Sequence, residues 1–163
     1  MPLEQKLKDF LKNRKKVVIL TIGNELRGDD GLGPFLAKKL SVIFQGNNKV
    51  SIIDGGVVPE NFTGTIRKKD PTHLILIDAV EMSEFPGYIR IIGTDEIANY
   101  NISTHAMPLS FLIKYLQSTI ESDMKIILIG IQPKEMNMVA DISKEVKNSI
   151  EKLMELFKTQ LDF

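Results

Sequence analysis

Apolar positions along this chain follow two alternating rhythms. Runs at 17–22 (Val17-Val18-Ile19-Leu20-Thr21-Ile22), 50–54, 74–78 and 125–131 are short, β-branched and nearly continuous, as in strands buried on both faces of a sheet. Other segments repeat at three and four residues: Leu32, Phe35, Leu36, Leu40 and Ile43; Leu109, Leu112, Ile113, Leu116 and Ile120; Ile142, Val146, Ile150, Leu153, Phe157 and Leu161. That spacing puts each set on one face of a helix. Strand and helix therefore alternate, which predicts an α/β fold on a mostly parallel sheet.

The alternation breaks once. Pro86-Gly87 leads into a fourth apolar run at 88–92, and only the nine residues 79–87 separate it from the third strand. A parallel crossover needs about a dozen residues or more, so the fourth strand is expected to be antiparallel. Shorter elements fill the remainder. Residues 3–13 carry Leu3, Leu7, Phe10 and Leu11 at helical spacing, ahead of a polar connector at 13–16. Gly46-Asn47-Asn48 is a turn signal, Pro59 and Glu60 open a short helix within 59–66, and Thr94-Asp95-Glu96 caps one helical turn. No internal repeat or linker divides the chain, and 163 residues suit one domain, with residues 1–14 as an amino-terminal helical extension.

Composition narrows the function more than the fold. Lys plus Arg (21) balances Asp plus Glu (21), so no overall field favours nucleic acid or an anionic membrane. Basic clusters at 12–16 and 67–69 border apolar elements and read as solvated edges. With no cysteine, disulfides, thiolate metal sites and a cysteine nucleophile are excluded together. No run has the length of a membrane span or the core of a signal peptide. A soluble, cytoplasmic monomer is the expectation.

The chemistry concentrates where strands end. The stretch GNELRGDDGLG, residues 23–33, holds four glycines and three acids and connects the first strand to the next helix. Open α/β sheets place ligands at such turns. Asp29 and Asp30 lie near the amino end of that helix, where capping and chemistry are both open readings. Asp54 follows the second strand and precedes Gly55-Gly56, a setting that also suits an ordinary turn residue. Asp78 ends the third strand after four apolar residues, and His105 stands just before the helix beginning near Leu109. Carboxylates and an imidazole gathered along one sheet edge have the donor set of a hard-to-borderline metal site with positions open for substrate. The other histidine, His73, opens the third strand at the opposite edge and is read as structural or exposed.

Taken together, GNELRGDDGLG, DGGVVPEN (54–61), LILIDAV (74–80), PGYIRII (86–92), THAMPLSFL (104–112) and GIQP (130–133) stand in the order and at about the spacing of the hydrogenase maturation endopeptidases. The chain resembles that family over roughly residues 17–155, and is most similar to the branch serving formate-hydrogenlyase-type and related energy-converting nickel-iron hydrogenases. The resemblance implies a three-layer α/β/α sandwich with one antiparallel strand. It also implies an enzyme that removes a carboxyl-terminal peptide from the hydrogenase large-subunit precursor once nickel is inserted. The nickel-binding groups of the family fall by motif on Asp30, Asp78 and His105, the metal arriving with the precursor. Asp29 and Asp30 are the expected catalytic carboxylates, with water as nucleophile and Asp29 as proton acceptor. Asn24 and Asp54 are expected to contact substrate or, like Asp29, to orient the ligands.

Three other classes compete with this reading. A dinucleotide-binding oxidoreductase would need G-x-G-x-x-G, and acids at the helix amino end repel pyrophosphate. A phosphate-accepting receiver-like switch would place its acid pair directly after the first strand, whereas here the pair follows Ile22 by seven residues. A non-enzymatic nickel chaperone stays open on sequence. Serine hydrolysis has no G-x-S-x-G, and Ser103 near His105 has no identifiable triad.

Overall fold

The computed structural model describes residues 1–100, 102, 107–120, 123–137 and 140–162. Five strands, β1 (Val17–Thr21), β2 (Val50–Asp54), β3 (His73–Ala79), β4 (Ile89–Gly93) and β5 (Lys125–Ile131), form one sheet in the order β2-β1-β3-β5-β4. All pairings are parallel except β4 with β5, which is antiparallel. The expected strands are present within about one residue at each end, and the short connection after β3 does carry the chain into a reversed strand. That strand lies at the sheet edge beyond β5 rather than beside β3.

Alternation along each strand divides the apolar side chains between two cores. Val17, Ile19, Ile75, Ile77, Ile127 and Ile129 face a layer of three helices: α1 (Leu3–Phe10), α2 (Leu32–Ile43) and α5 (Lys144–Gln160). Val18, Leu20, Leu74, Leu76, Val80 and Leu128 face the layer of α3 (Thr63–Lys69) and α4 (Leu109–Thr119). The result is the three-layer α/β/α sandwich. No helix among the described residues is long and apolar enough to cross a membrane.

The amino-terminal extension is part of the core. Leu7 and Leu11 are buried, the ring of Phe10 meets the His73 ring edge-on at 5.1 Å, and Gln160 Nε2 donates to the Glu4 carbonyl at 3.0 Å. Helix α1 ends earlier than the apolar spacing predicts, because Asn13 takes a left-handed conformation (φ 63°) that turns the chain into β1. His73 is buried, not exposed. Its Nδ1 lies 2.8 Å from Thr72 Oγ1, and burial, reinforced by the nearby charges of Lys125 and Arg14, lowers its pKa from 6.5.

Candidate functional site

Buried polar side chains collect at the carboxyl edge of the sheet. Among the described residues, Thr21, Asp29, Asp30, Asp78 and Gln132 are all buried within or just beyond the ends of β1, β3 and β5. Burial of this kind costs free energy unless each group is bonded, so the local construction matters.

The first connection is built on two left-handed glycines. At Gly23 (φ 152°) a side chain would collide with the carbonyl of Asp30, and the Gly23 N–H donates to the Gly56 carbonyl at 2.9 Å. The chain then folds back through an Asx turn, in which the Leu26 N–H donates to Asn24 Oδ1 at 2.9 Å. A 3-10 turn, Gly28–Gly31, follows and leads directly into α2. Gly28 (φ 53°) lies against the Glu135 carbonyl, an approach that a Cβ would block.

Successive residues of a 3-10 turn point about 120° apart, so Asp29 and Asp30 separate. Asp30, 1% exposed, keeps its Oδ2 on the backbone N–H of Asn24 at 3.0 Å. Asp29 turns toward the segment between β5 and α5. Its Oδ2 accepts from Lys134 N at 2.7 Å, Glu135 N at 3.0 Å and Ser143 Oγ at 2.9 Å, while Oδ1 accepts from Ser143 N at 2.6 Å. Four donors occupy its lone pairs. Of the two expectations for Asp29, these bonds suit orientation over proton transfer: they clamp the turn that carries Asp30 to the β5–α5 connection, and Ser143 in turn caps α5.

Asp78 is not a loop residue. It sits inside β3 and is fully buried, aligned with Gly130 of β5 and, by alternation, on the face of Leu74 and Leu76 that looks toward α3 and α4. The Ile22 N–H donates to the Ile77 carbonyl at 2.9 Å, so the chain leaving β1 runs beside Asp78, and the 3-10 turn carrying Asp30 packs against β3. The two carboxylates are thus delivered from neighbouring strands to one edge. His105 lies outside the described residues. Helix α4, which follows it, buries Leu109 and Leu112 in the core on the Asp78 face. Among the described residues no three His, Cys, Asp or Glu side chains are grouped to hold a metal ion.

Asp54 takes the turn setting that its following glycines suggest. It is aligned with Thr21 but is exposed, and it accepts the Gly56 N–H at 3.1 Å in an Asx turn. Ile53 already faces the Asp78 side, so alternation turns Asp54 to the opposite face. It is a turn residue. Asn24 does bear on the site, through its backbone N–H to Asp30, while its side chain holds its own loop.

Gln132 enters the sequence reading only within the motif GIQP, with no role of its own. Its side chain is 3% exposed, and Oε1 accepts from Met82 N at 2.7 Å and Glu84 N at 3.3 Å. Nε2 donates to Glu81 Oε2 at 2.8 Å. The Glu81 carboxyl is held below its ordinary pKa by the Ser83 N–H and by Gln132. A polar residue directly after six buried strand positions was the available signal. A separate groove beside edge strand β4, lined by Lys6, Tyr88, Arg90, Glu96, Tyr100 and Lys152 among others, includes neither acid.

A family description, HycI: hydrogenase maturation protease, matches residues 34–160, beginning just after the 3-10 turn. The hydrogenase 3 maturation protease of Escherichia coli is 42% identical over 135 residues, covering 82% of this chain and 83% of that protein. A crystal structure of the [NiFe] hydrogenase maturation protease HycI from Thermococcus kodakarensis is similar with a TM-score of 0.86 at 30% identity, over 96% of this chain and 98% of that one. The solution structure of the endopeptidase HycI from Escherichia coli gives a TM-score of 0.78 at 36% identity, over 90% and 92% of the two chains.

Proposed function

The chain belongs to the hydrogenase maturation protease family, and from that premise we propose that it is an endopeptidase acting on the precursor of a nickel-iron hydrogenase large subunit. It removes the carboxyl-terminal peptide after nickel has been inserted, with the nickel in the precursor serving as the recognition signal. The observation that carries this reading is the pair of buried carboxylates, Asp30 and Asp78, brought to one edge from neighbouring strands.

Oxygen donors of this kind, completed by the imidazole of His105, suit a divalent ion carried in by the substrate. In this proposal the chain engages the metal already seated in the precursor, and so holds the nearby peptide bond for attack. The chain has no cysteine, so a thiol acyl-enzyme is excluded, and water is the nucleophile. Its hydroxyl joins the acyl carbon, the C–N bond breaks and a proton reaches the leaving amine. With Asp29 occupied by four donors, the proton from water passes to a carboxylate of the Asp30–Asp78 pair.

Mass spectrometry of a large-subunit precursor, nickel-loaded and nickel-free, after incubation with the protein tests the reading. Shortening of the loaded form alone is the expected result. Equal cleavage of both forms would remove nickel as the signal, and binding without cleavage of either would favour a chaperone.

A further inference from the structure

Asp30 lies on the connection after β1 and Asp78 in β3, two residues before the connection that follows it, and one short segment is bonded to both connections. After β5, the Gln132 backbone accepts from Gly87 N at 2.8 Å and donates to the Tyr88 carbonyl at 2.9 Å. Its side chain binds the backbone N–H groups of Met82 and Glu84 and the carboxylate of Glu81, all in the connection that leaves β3 immediately after Asp78-Ala79. Two residues further on, Lys134 and Glu135 donate their N–H groups to Asp29, the neighbour of Asp30. We infer that Gln132 is a positioning residue for Asp78, and that the segment 132–135 sets the placement of the Asp78 connection against the Asp30 turn.

Three features single Gln132 out from a residue that merely fills space. It uses both ends of its amide at once, taking two N–H donors on Oε1 and giving one hydrogen to a carboxylate on Nε2. No other side chain of similar size offers an acceptor and a donor in that arrangement. The β3–β5 ladder closes at Ala79 with Ile131, and the Val80 N–H still donates to the Ile131 carbonyl at 3.0 Å. Beyond Val80 the sheet ladder is finished, and the Gln132 side chain continues the hold on the connection where backbone pairing stops. The far end of the same connection is tied separately, by Arg90 Nη2 to Glu84 Oε1 at 3.1 Å. Loosening the Gln132 hold therefore leaves the connection attached at Val80 and through Glu84, while freeing residues 81–83 that follow the exit from Asp78.

The inference rests on the proposed function for its catalytic readout but not for its structural one. Gln132→Glu keeps size and the acceptor for Met82 while setting a second carboxylate against Glu81, and the double variant Glu81→Gln with Gln132→Glu returns one donor and one acceptor to that contact. We expect Gln132→Glu to lower kcat on nickel-loaded precursor by about 10- to 100-fold, as for groups that orient ligands from behind. KM for the nickel-loaded precursor should rise as well, because Asp78 is one of the groups that engages its metal. The double variant should recover most of the loss. In parallel, NMR of the metal-free protein should show a displaced Asp78 carboxyl resonance and faster amide exchange at Met82 and Glu84 in Gln132→Glu, both restored in the double variant. An undisturbed Asp78 resonance, or kcat equal to the parent's per folded molecule, overturns the inference. A parent protein that fails to cleave the precursor overturns the proposed function instead, and the NMR comparison still decides the role of Gln132.

Discussion

Ser143 holds Asp29 with two hydrogen bonds, one from its backbone N–H at 2.6 Å and one from its hydroxyl at 2.9 Å. The pair lies 114 residues apart in sequence and joins the first connection of the sheet to the start of the last helix. The same hydroxyl accepts from Val146 N, so the helix cap and the acid clamp share one atom. Neighbouring Asp30 has no part in this arrangement and is placed by Asn24 instead.

The clamp predicts that Asp29→Ala is chiefly a stability lesion. Four donors lose a charged acceptor, and a loss of about 3 kcal/mol is expected at the scale of charged hydrogen bonds and the unpaired groups they leave behind. Asp29→Asn retains one acceptor oxygen and should lose less. Urea unfolding of the three proteins decides the point, and indistinguishable midpoints would refute the structural role.

Asp30 and Asp78 should behave in the opposite way. Asp30→Asn and Asp78→Asn keep the size and one acceptor oxygen of each buried side chain, so both should still unfold in one cooperative urea transition. Cleavage of nickel-loaded precursor should fall by roughly 10^4-fold, as when one member of a catalytic unit is removed. His105→Ala is expected to share that loss of cleavage. A variant that processes precursor at the parent rate places its residue outside the site.

His73 predicts a pH dependence of stability. Its pKa in the folded protein is lowered from 6.5, first by burial and then by the charge of Lys125, so the unfolded chain binds the proton more readily. Stability attributable to this group is complete above 6.5 and is lost as pH falls through the window between 6.5 and the lower native value. The slope should approach about 1.4 kcal/mol per pH unit within that window. Urea unfolding from about pH 7.5 to 5 should show a flatter profile for His73→Gln. The same slope in both proteins would assign the dependence elsewhere, and cleavage by His73→Gln should match the parent's.

Helix α1 should matter for folding and not for chemistry. Leu7 is fully buried between α1 and the rest of its core, so Leu7→Ala should lower stability by about 2–5 kcal/mol. Cleavage per folded molecule should be unchanged. A variant with normal stability would mean that α1 is an appendage, and one with normal stability but lost cleavage would give the helix a role at the site.

What the sequence determined by itself is the framework and the edge. Continuous apolar runs such as 17–22 and 125–131 are demanded by burial on both faces, and the nine residues between β3 and the next strand are too short for a parallel return. Once those strands are placed, Asp78 must arrive at the carboxyl edge, because it ends a run whose direction is fixed, and Asp30 lies on the connection that leaves β1 at the same edge. What only the tertiary structure decided is which polar groups there face one another. Asp29 and Asp30 are adjacent and chemically alike, and their separation depends on a 3-10 turn and on donors at Lys134, Glu135 and Ser143 more than a hundred residues away. Asp54 and Asp78 both end strands, yet one residue of register puts them on opposite faces of the sheet. Gln132 could not be given a role from sequence because its partners, Glu81, Met82 and Glu84, come from another connection. Periodicity is a local property and can be read along the chain, whereas a hydrogen-bond partner is chosen by whatever segment folding brings within about 3 Å.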